Sequence, residues 1–484
     1  MSDVAGPLVT TCDGVLRGSL EGGVASFLGV PYAKAPVGPL RFRAPEAVEP
    51  WDGVREAVAF GATAPKRPYP PPLDALLPDP DVEGDDWLNL NVWAPWEDGA
   101  GSRAVMVWIH GGSLVHGSSS VPVYDGAAFA RDGVVLVSLN YRLGIEGFGV
   151  FPDAPANLGL RDQLAALAWV RDNIAAFGGD PERVTVFGES AGAISIAALL
   201  ASPLAKGLFR RAVLQSGAPT ALPLERARRT TETVASHLGV EATARALSAV
   251  PRERLLDAQT AVTGKGSPLT GGHSFQIAVD GEVLPRDPAE ALRDGASADV
   301  DLLMGTNTEE YRLWFVPSRV TERLGRLALQ VALWKTKVPS RTTRAYRANR
   351  PGETPGELLG ALATDKLLRV PLNRVADART AGPGSTFVYE FGWRSPVMGL
   401  GACHALEIAF VFDTLDRPEA TALTGPDAPR ELAAAMHGAW TRFAATGDAG
   451  WRPWDPSRPV MTFGPGAPAL VESPREDERR AWDT

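Results

Sequence analysis

Two runs of this chain, AVMVWIH (104–110) and GVVLVSL (133–139), are apolar on both faces. A strand reads that way when it is covered on both sides, the condition of a buried parallel sheet. Helical text is interleaved with such runs. From Arg161 to Phe177, Leu164, Leu167, Val170, Ile174 and Phe177 fall on one helical stripe. VTVFG (184–188), a small-residue helix from Ala191 to Leu200, AVLQ (212–215), VDLLMG (300–305) and TFVYEF (386–391) continue the alternation. The pattern predicts an α/β fold, a central and mostly parallel sheet with helices on both faces. At 484 residues the length alone suggests about three domains. No internal repeat divides the chain, and one sheet can run through it. Residues 1–484 are therefore expected to form a single domain, with a helical and loop region inserted around 312–380.

Within this frame one string carries chemistry. Gly188-Glu189-Ser190-Ala191-Gly192 fits G-x-S-x-G, follows an apolar strand and opens a helix. The string alone is common, and a structural serine is the plain alternative. The strand–turn–helix context is what makes it a nucleophile elbow. Glycines flank a crowded backbone, and the turn holds Oγ out at the end of the sheet. The helix N-terminus behind it offers free N–H groups and a favourable dipole to a developing oxyanion.

A serine hydroxyl needs a base. The six histidines are His110, His116, His237, His273, His404 and His437. His110 belongs to a glycine turn, His237 and His437 fall in helical text, and His273 follows a glycine pair. The scaffold orders its residues nucleophile, acid, base, so a late histidine is required. Order favours His404, in GACHALEIAFVF after the last predicted strand, over His437. The acid should follow a strand lying between. In MGTNTEE, Gly305 and Asn307 break the strand, and Glu309 and Glu310 stand just beyond. The residues alone leave open which glutamate acts, or whether both are solvated. WIHGGS (108–113) ends a strand in glycines whose N–H groups, with that of Ala191, can form an oxyanion hole.

These blocks together resemble the type-B carboxylesterase family, which includes the cholinesterases and para-nitrobenzyl esterases. FLGVPYAKAPVGPLRF (27–42), DDWLNLNVWAP (85–95), HGGSLVHGSSS, VSLNYRLGIEGF (137–148), NLGLRDQLAALAWVRDNIAAFGGDP (157–181), FGESAGAIS (187–195), FRRAVLQSGAP (209–219), GACHALEIAFVF and HGAWTRFAATGD (437–448) carry the resemblance over roughly residues 6–465. It implies an α/β-hydrolase fold with a helical region over an active-site gorge. It also implies Ser190 as nucleophile, Glu310 as acid and His404 as base. The implied oxyanion donors are the N–H groups of Gly112, Ser113 and Ala191; Glu189, Ser216 and Glu407 match positions that sit beside the triad. The activity implied is hydrolysis of small to medium hydrophobic carboxylic esters through an acyl-enzyme, without metal or cofactor. The same machinery serves amides, carbamates and lactones, and some relatives are non-catalytic binding or scavenging proteins.

Several positions depart from the family. Ser113 and Leu114 stand where glycine or alanine and an aromatic residue are usual, and Tyr311 replaces the glycine after the acid. Trp87 and Ala64 occupy the places of a usual cysteine pair. With only Cys12 and Cys403 in the chain, a reducing, cytoplasmic compartment is expected. The N-terminal text shows no charged and then apolar leader pattern. Cys403, beside the proposed base, reads as a packed neighbour rather than a reactive thiol.

The formal charge of −9 repels phosphate backbones and anionic lipid, so neither nucleic acid nor a membrane is expected as partner, only a small-molecule ester. The one basic stretch comprises Arg319, Arg323, Arg326, Lys335, Lys337, Arg341, Arg344, Arg347 and Arg350. With Leu324, Leu327, Leu329, Val331 and Leu333 among them, it reads as the solvated face of a packed helical region. RPYPPPLDALLPDPD (67–81) resists helix and central strand and is expected as a surface loop or flap. This loop and residues 312–350 are the expected contributors to substrate preference.

Overall fold

The computed structural model describes residues 6–96, 101–264 and 273–483. Parts of two sequence readings, residues 1–5 of the N-terminal text and the glycine pair before His273, lie outside these.

The expected sheet is present and larger than the sequence text suggested. In chain order its strands are β1 (Ser19–Glu21), β2 (Val24–Pro31), β3 (Asn89–Pro95), β4 (Arg103–Ile109), β5 (Val135–Leu139), β6 (Gly179–Glu189), β7 (Arg211–Gln215), β8 (Asp301–Asn307), β9 (Thr386–Phe391), β10 (Pro459–Phe463) and β11 (Ala469–Glu472). They form an eleven-stranded sheet in the spatial order β11-β10-β9-β8-β7-β6-β4-β5-β3-β2-β1. The strands from β5 across to β10 are mutually parallel, and both edges are antiparallel. TFVYEF is thus not the last strand. Both β10 and β11 follow His404, and β11 escaped notice because its four residues are all exposed and show no alternation.

Alternation along the strands divides the interior into two cores. On β4, Val105, Val107 and Ile109 join one apolar cluster, whereas Met106 and Trp108 join the other. The first core is closed by α1 (Leu158–Asn173) and α2 (Ala191–Ala201). Between β8 and β9 lie α3 (Arg312–Phe315), α4 (Val320–Arg323), α5 (Arg326–Lys335), α6 (Ser340–Asn349), α7 (Pro355–Thr364) and α8 (Val370–Arg379). After β9 come α9 (Pro418–Thr424), α10 (Arg430–Thr446), which closes the second core through Met436, Trp440 and Phe443, and α11 (Glu476–Arg480).

The helices between β8 and β9 share a satellite core of their own. Leu329 and Leu333 of α5 pack there with Tyr346, Leu358, Leu362 and Trp482. Trp482 Nε1–H donates to Tyr346 Oη at 3.0 Å, tying the end of the chain to this cover. The packing corrects one expectation, because Leu327 and Val331 of the basic stretch are exposed. The substituted cysteine positions are filled by bulk. Trp87 and Ala64 are both buried, and the Arg252 guanidinium lies over the indole, 4.7 Å from a ring centroid.

Register then sets where chemistry can occur. Ile109 pairs with Gly188, Gln215 with Glu189, and Gly305 with Gln215. The carboxyl ends of β4, β6, β7 and β8 therefore lie side by side, the place where open α/β sheets bind their ligands.

Candidate active site

Ser190 follows β6 and caps α2 with φ 55° and ψ −119°, a conformation that points its side chain out of the turn. Its N–H donates to Gln215 O at 2.8 Å and its carbonyl accepts from Ile194 N–H at 2.9 Å, so the turn is anchored on both sides. Gly192 is forced by close approach: a Cβ there would lie 1.9 Å from the carbonyl oxygen of Ile109. Gly192→Ala is expected to destabilise the fold by more than about 3 kcal/mol, since backbone rather than a side chain must yield. Urea unfolding measures it, and a loss below about 1 kcal/mol would contradict the packing described.

The loop after β4 turns left-handed at Gly112 (φ 106°), Ser113 (φ 56°) and Leu114 (φ 63°). Bonds from Val115 and His116 N–H to Gly112 O hold this shape, as does one from Gly144 N–H to Leu114 O at 2.6 Å. Beneath it, His110 stacks on Tyr141, whose hydroxyl donates to His110 O at 2.7 Å. Burial holds His110 down at about 4, so it is a neutral prop. The N–H groups of Gly112, Ser113 and Ala191 donate no hydrogen bond among the described residues. Gly112, Ser113 and Ser190 line one cleft, which keeps these donors available.

His404 lies in the same cleft. Its Nδ1 is 2.6 Å from Glu310 Oε2, and Asn307 N–H donates to Glu310 Oε1 at 2.8 Å, fixing that carboxylate through both oxygens. Glu309 points elsewhere, accepting from Ala402 N–H at 3.0 Å and pairing with Arg394 at 3.3 Å. The structure thus separates the two glutamates left open by the sequence. The other late histidine, His437, accepts no such role; its Nδ1 bonds Val411 O at 2.7 Å in the second core. His237 and His273 are exposed, and His116 stacks on Tyr69.

On the other edge of the His404 ring, Nε2 is 3.0 Å from Glu189 Oε1. This contact acts on the ring chiefly through charge. Among the described residues, Ser190 Oγ and the ring are not hydrogen-bonded to one another, a looseness usual before substrate binds. Burial opposes charging the ring, but Glu189 and Glu310 outweigh it and hold His404 well above its ordinary value. Glu189 is itself raised by burial.

A third carboxyl, Glu407, lies behind these two. Asn307 Nδ2–H donates to Glu407 Oε2 at 2.6 Å and to Cys403 O at 2.7 Å, and Gln215 Nε2–H donates to Glu407 Oε1 at 3.2 Å. Burial first, then Glu189 and Glu310, push Glu407 up to about 8, so near pH 7 it is mostly neutral. Cys403 is fully buried and its thiol is pushed up by burial, consistent with an inert packed neighbour. Ser216 follows β7 with φ 51° and donates its N–H to Gly305 O at 2.9 Å; its buried Oγ has no partner among the described residues.

The cleft encloses about 890 Å³ including its open mouth. The proline-rich loop supplies one wall through Tyr69, Leu73, Leu76, Leu77 and Pro78. Of residues 312–350 only Leu313 and Trp314 reach it, which narrows the earlier expectation; α9 supplies another wall through Glu419, Ala420, Leu423 and Thr424. Trp314 also packs on the His404 ring at 4.8 Å between centroids. Neither α9 nor the links through Asn307 and Gln215 were foreseen, since none carries a motif. Tyr311, the substitution after the acid, adopts an ordinary helical backbone (φ −59°, ψ −22°). Its ring occupies space left by Gly360, where a Cβ would come within 2.1 Å. The departure is thus accommodated on α7, not in the loop.

Comparison with known proteins places this arrangement. A model described as the carboxylesterase family matches residues 5–461. The para-nitrobenzyl esterase of Bacillus subtilis (strain 168) is 39% identical over 458 residues, covering 91% of this chain and 90% of that protein. Phenmedipham hydrolase of Pseudarthrobacter oxydans is 38% identical over 484 residues, covering 96% and 94%. A solved Geobacillus stearothermophilus carboxylesterase superposes with a TM-score of 0.88 at 37% identity, covering 98% of this chain and 100% of that one.

Proposed function

Because the chain belongs to the carboxylesterase family and adopts its α/β-hydrolase fold, we propose that it hydrolyses small to medium hydrophobic esters through an acyl-enzyme on Ser190. The observation that carries this reading is the grouping of Ser190, on a strained elbow, with a His404 ring held 2.6 Å from Glu310 in one apolar cleft.

In this reading the neutral His404 takes the Ser190 proton as Oγ bonds to the ester carbonyl carbon. The carbonyl oxygen gains the negative charge and receives the free N–H groups of Gly112, Ser113 and Ala191. His404 returns the proton to the leaving alcohol as the C–O bond breaks, leaving an acyl-enzyme. Water then bonds to the acyl carbon as it loses its proton to His404; the Oγ–C bond breaks, His404 returns that proton to Ser190 Oγ, and the carboxylic acid leaves. Glu310 holds the imidazole tautomer and balances the imidazolium. Glu189 acts on the ring through charge, Glu407 ties Asn307 to Gln215 behind it, and Ser216 braces the neighbouring turn. Residues 1–484 act as one domain, with 312–380 as the inserted cover. The compartment we assign is the cytoplasm, a reading supported by two free thiols, Cys12 and Cys403. Among the described residues no helix is long and apolar enough to cross a membrane.

Steady-state assay with p-nitrophenyl acetate, butyrate and octanoate tests the proposal. Repeated turnover is expected; a single burst of nitrophenol with no later release would sink the hydrolase reading in favour of a scavenger.

The charges around His404 give a second check. Only the neutral ring can accept a proton, and its carboxylate neighbours raise its pKa, so kcat/KM should climb along a limb above the ordinary 6.5. Glu189→Gln removes one anion from beside Nε2, which favours the neutral ring. The limb should therefore move to lower pH in that variant. A limb that stays in place or moves upward would show that Glu189 does not act on the base.

A further inference from the structure

Helix α5 presents two faces of opposite fate. Leu329 and Leu333 enter the satellite core, while Leu327 is 81% exposed, Trp334 76% and Val331 45%. Spacings of four and three place these last residues on one stripe of the helix. Cations surround the stripe in sequence. Arg323 and Arg326 precede it, Lys335 and Lys337 follow it, and Arg344 and Arg347 stand on α6. All six are exposed, and none of their side chains has an ion-pair or hydrogen-bond partner among the described residues. The only acid between residues 316 and 349 is Glu322, committed to Arg319 at 2.8 Å. A chain of net charge −9 thus carries a run of excess positive charge through the segment that holds the exposed Leu327 and Trp334.

We propose that this face docks peripherally on an anionic phospholipid surface, with Leu327 and Trp334 seated among the headgroups and the six cations against the lipid phosphates. An exposed indole and leucine flanked by Lys and Arg is the chemistry of interfacial binding. The net charge of the whole chain argues against such a surface, but at close range the local sign decides, because charges beyond about 8 Å are screened. A second copy of the chain is a poorer occupant: three side chains on one helix fall short of the ~800 Å² per partner of a stable interface. Nucleic acid would use the cations and leave the apolar stripe unexplained. Helix α5 packs on α7, which also packs on α3, whose Leu313 and Trp314 line the cleft, so the docked face belongs to the same helical cover as the cleft wall.

Co-sedimentation of the full chain with vesicles tests this. Binding to phosphatidylcholine vesicles containing phosphatidylglycerol should be at least about tenfold tighter than to phosphatidylcholine alone, and should weaken as salt is raised. Leu327→Ser with Trp334→Ser, and separately Lys335→Glu with Lys337→Glu, should each weaken it about tenfold. Both variants should hydrolyse p-nitrophenyl acetate in solution like the parent, which shows them folded. Absence of binding, equal binding to both vesicle types, or variants that bind like the parent would overturn the proposal. So would a concentration-dependent dimer abolished by Trp334→Ser, or retention of DNA through the same cations without vesicle binding.

Discussion

Ser190→Ala is expected to lower kcat/KM for p-nitrophenyl butyrate by about 10⁵-fold while leaving the unfolding midpoint unchanged. The effect is large because Ser190 alone offers its hydroxyl from the elbow; of the other hydroxyls lining the cleft, Ser113 stands in the loop after β4 and Thr424 donates to Ala420 O. Tyr69 and Tyr124 also line the cleft, but burial raises both hydroxyls far beyond the range in which they ionise. What remains in the variant is the set of backbone donors and the apolar wall, which together sustain only weak attack by water. His404→Ala should cost about as much, and the double variant little more than either, because the two act as one unit. Residual activity above about one hundredth of the parent would mean that another residue carries the acyl group. Additive losses would mean that Ser190 and His404 work in separate steps.

The next largest effect is expected from Glu310→Gln, a fall in kcat of about 10³- to 10⁴-fold with KM nearly constant. The glutamine keeps the shape and can keep the bond from Asn307 N–H, so positioning survives. The charge that balances the imidazolium is lost, and the amide no longer favours a proton on Nδ1. Glu309→Gln is the matched control. Its carboxylate faces Ala402, Arg394 and Arg312, and its loss should cost less than about threefold. If Glu309→Gln were the more damaging change, the geometry around His404 would have been misread.

The contrast between the two glutamates shows what the sequence could and could not convey. MGTNTEE places an acid after a strand, yet nothing in the residues tells which of two adjacent carboxyls turns toward a histidine 94 positions away. That choice is made by Asn307, which donates its N–H to Glu310 and its amide to Cys403 and Glu407. Such bonds depend on three-dimensional register and leave no periodic trace. The elbow is the opposite case: Gly192 and Ser190 are dictated by local crowding, so their role shows in five consecutive letters. The sheet interior was legible for the same reason, because strands covered on both sides must be continuously apolar. The edge strand β11 is exposed throughout and reads like loop. The helix α5 misled in another way. Its leucines match a buried stripe and an exposed one equally well, and only the packing against Tyr346, Leu358 and Leu362 distinguishes them.

The lining of the cleft bears on how the reaction ends. Its ionisable side chains include Glu189 and Glu419, and no lysine or arginine stands among them. An ester is neutral and enters such a space at little electrostatic cost. The acid formed from it ionises as it meets water; two carboxylates of the lining then repel it, and the His404 imidazolium is already paired with Glu189 and Glu310. Departure of the product is favoured by the same walls that admitted the substrate. Accumulating acid should therefore compete weakly for the cleft, and hydrolysis should run toward completion without being throttled by what it makes.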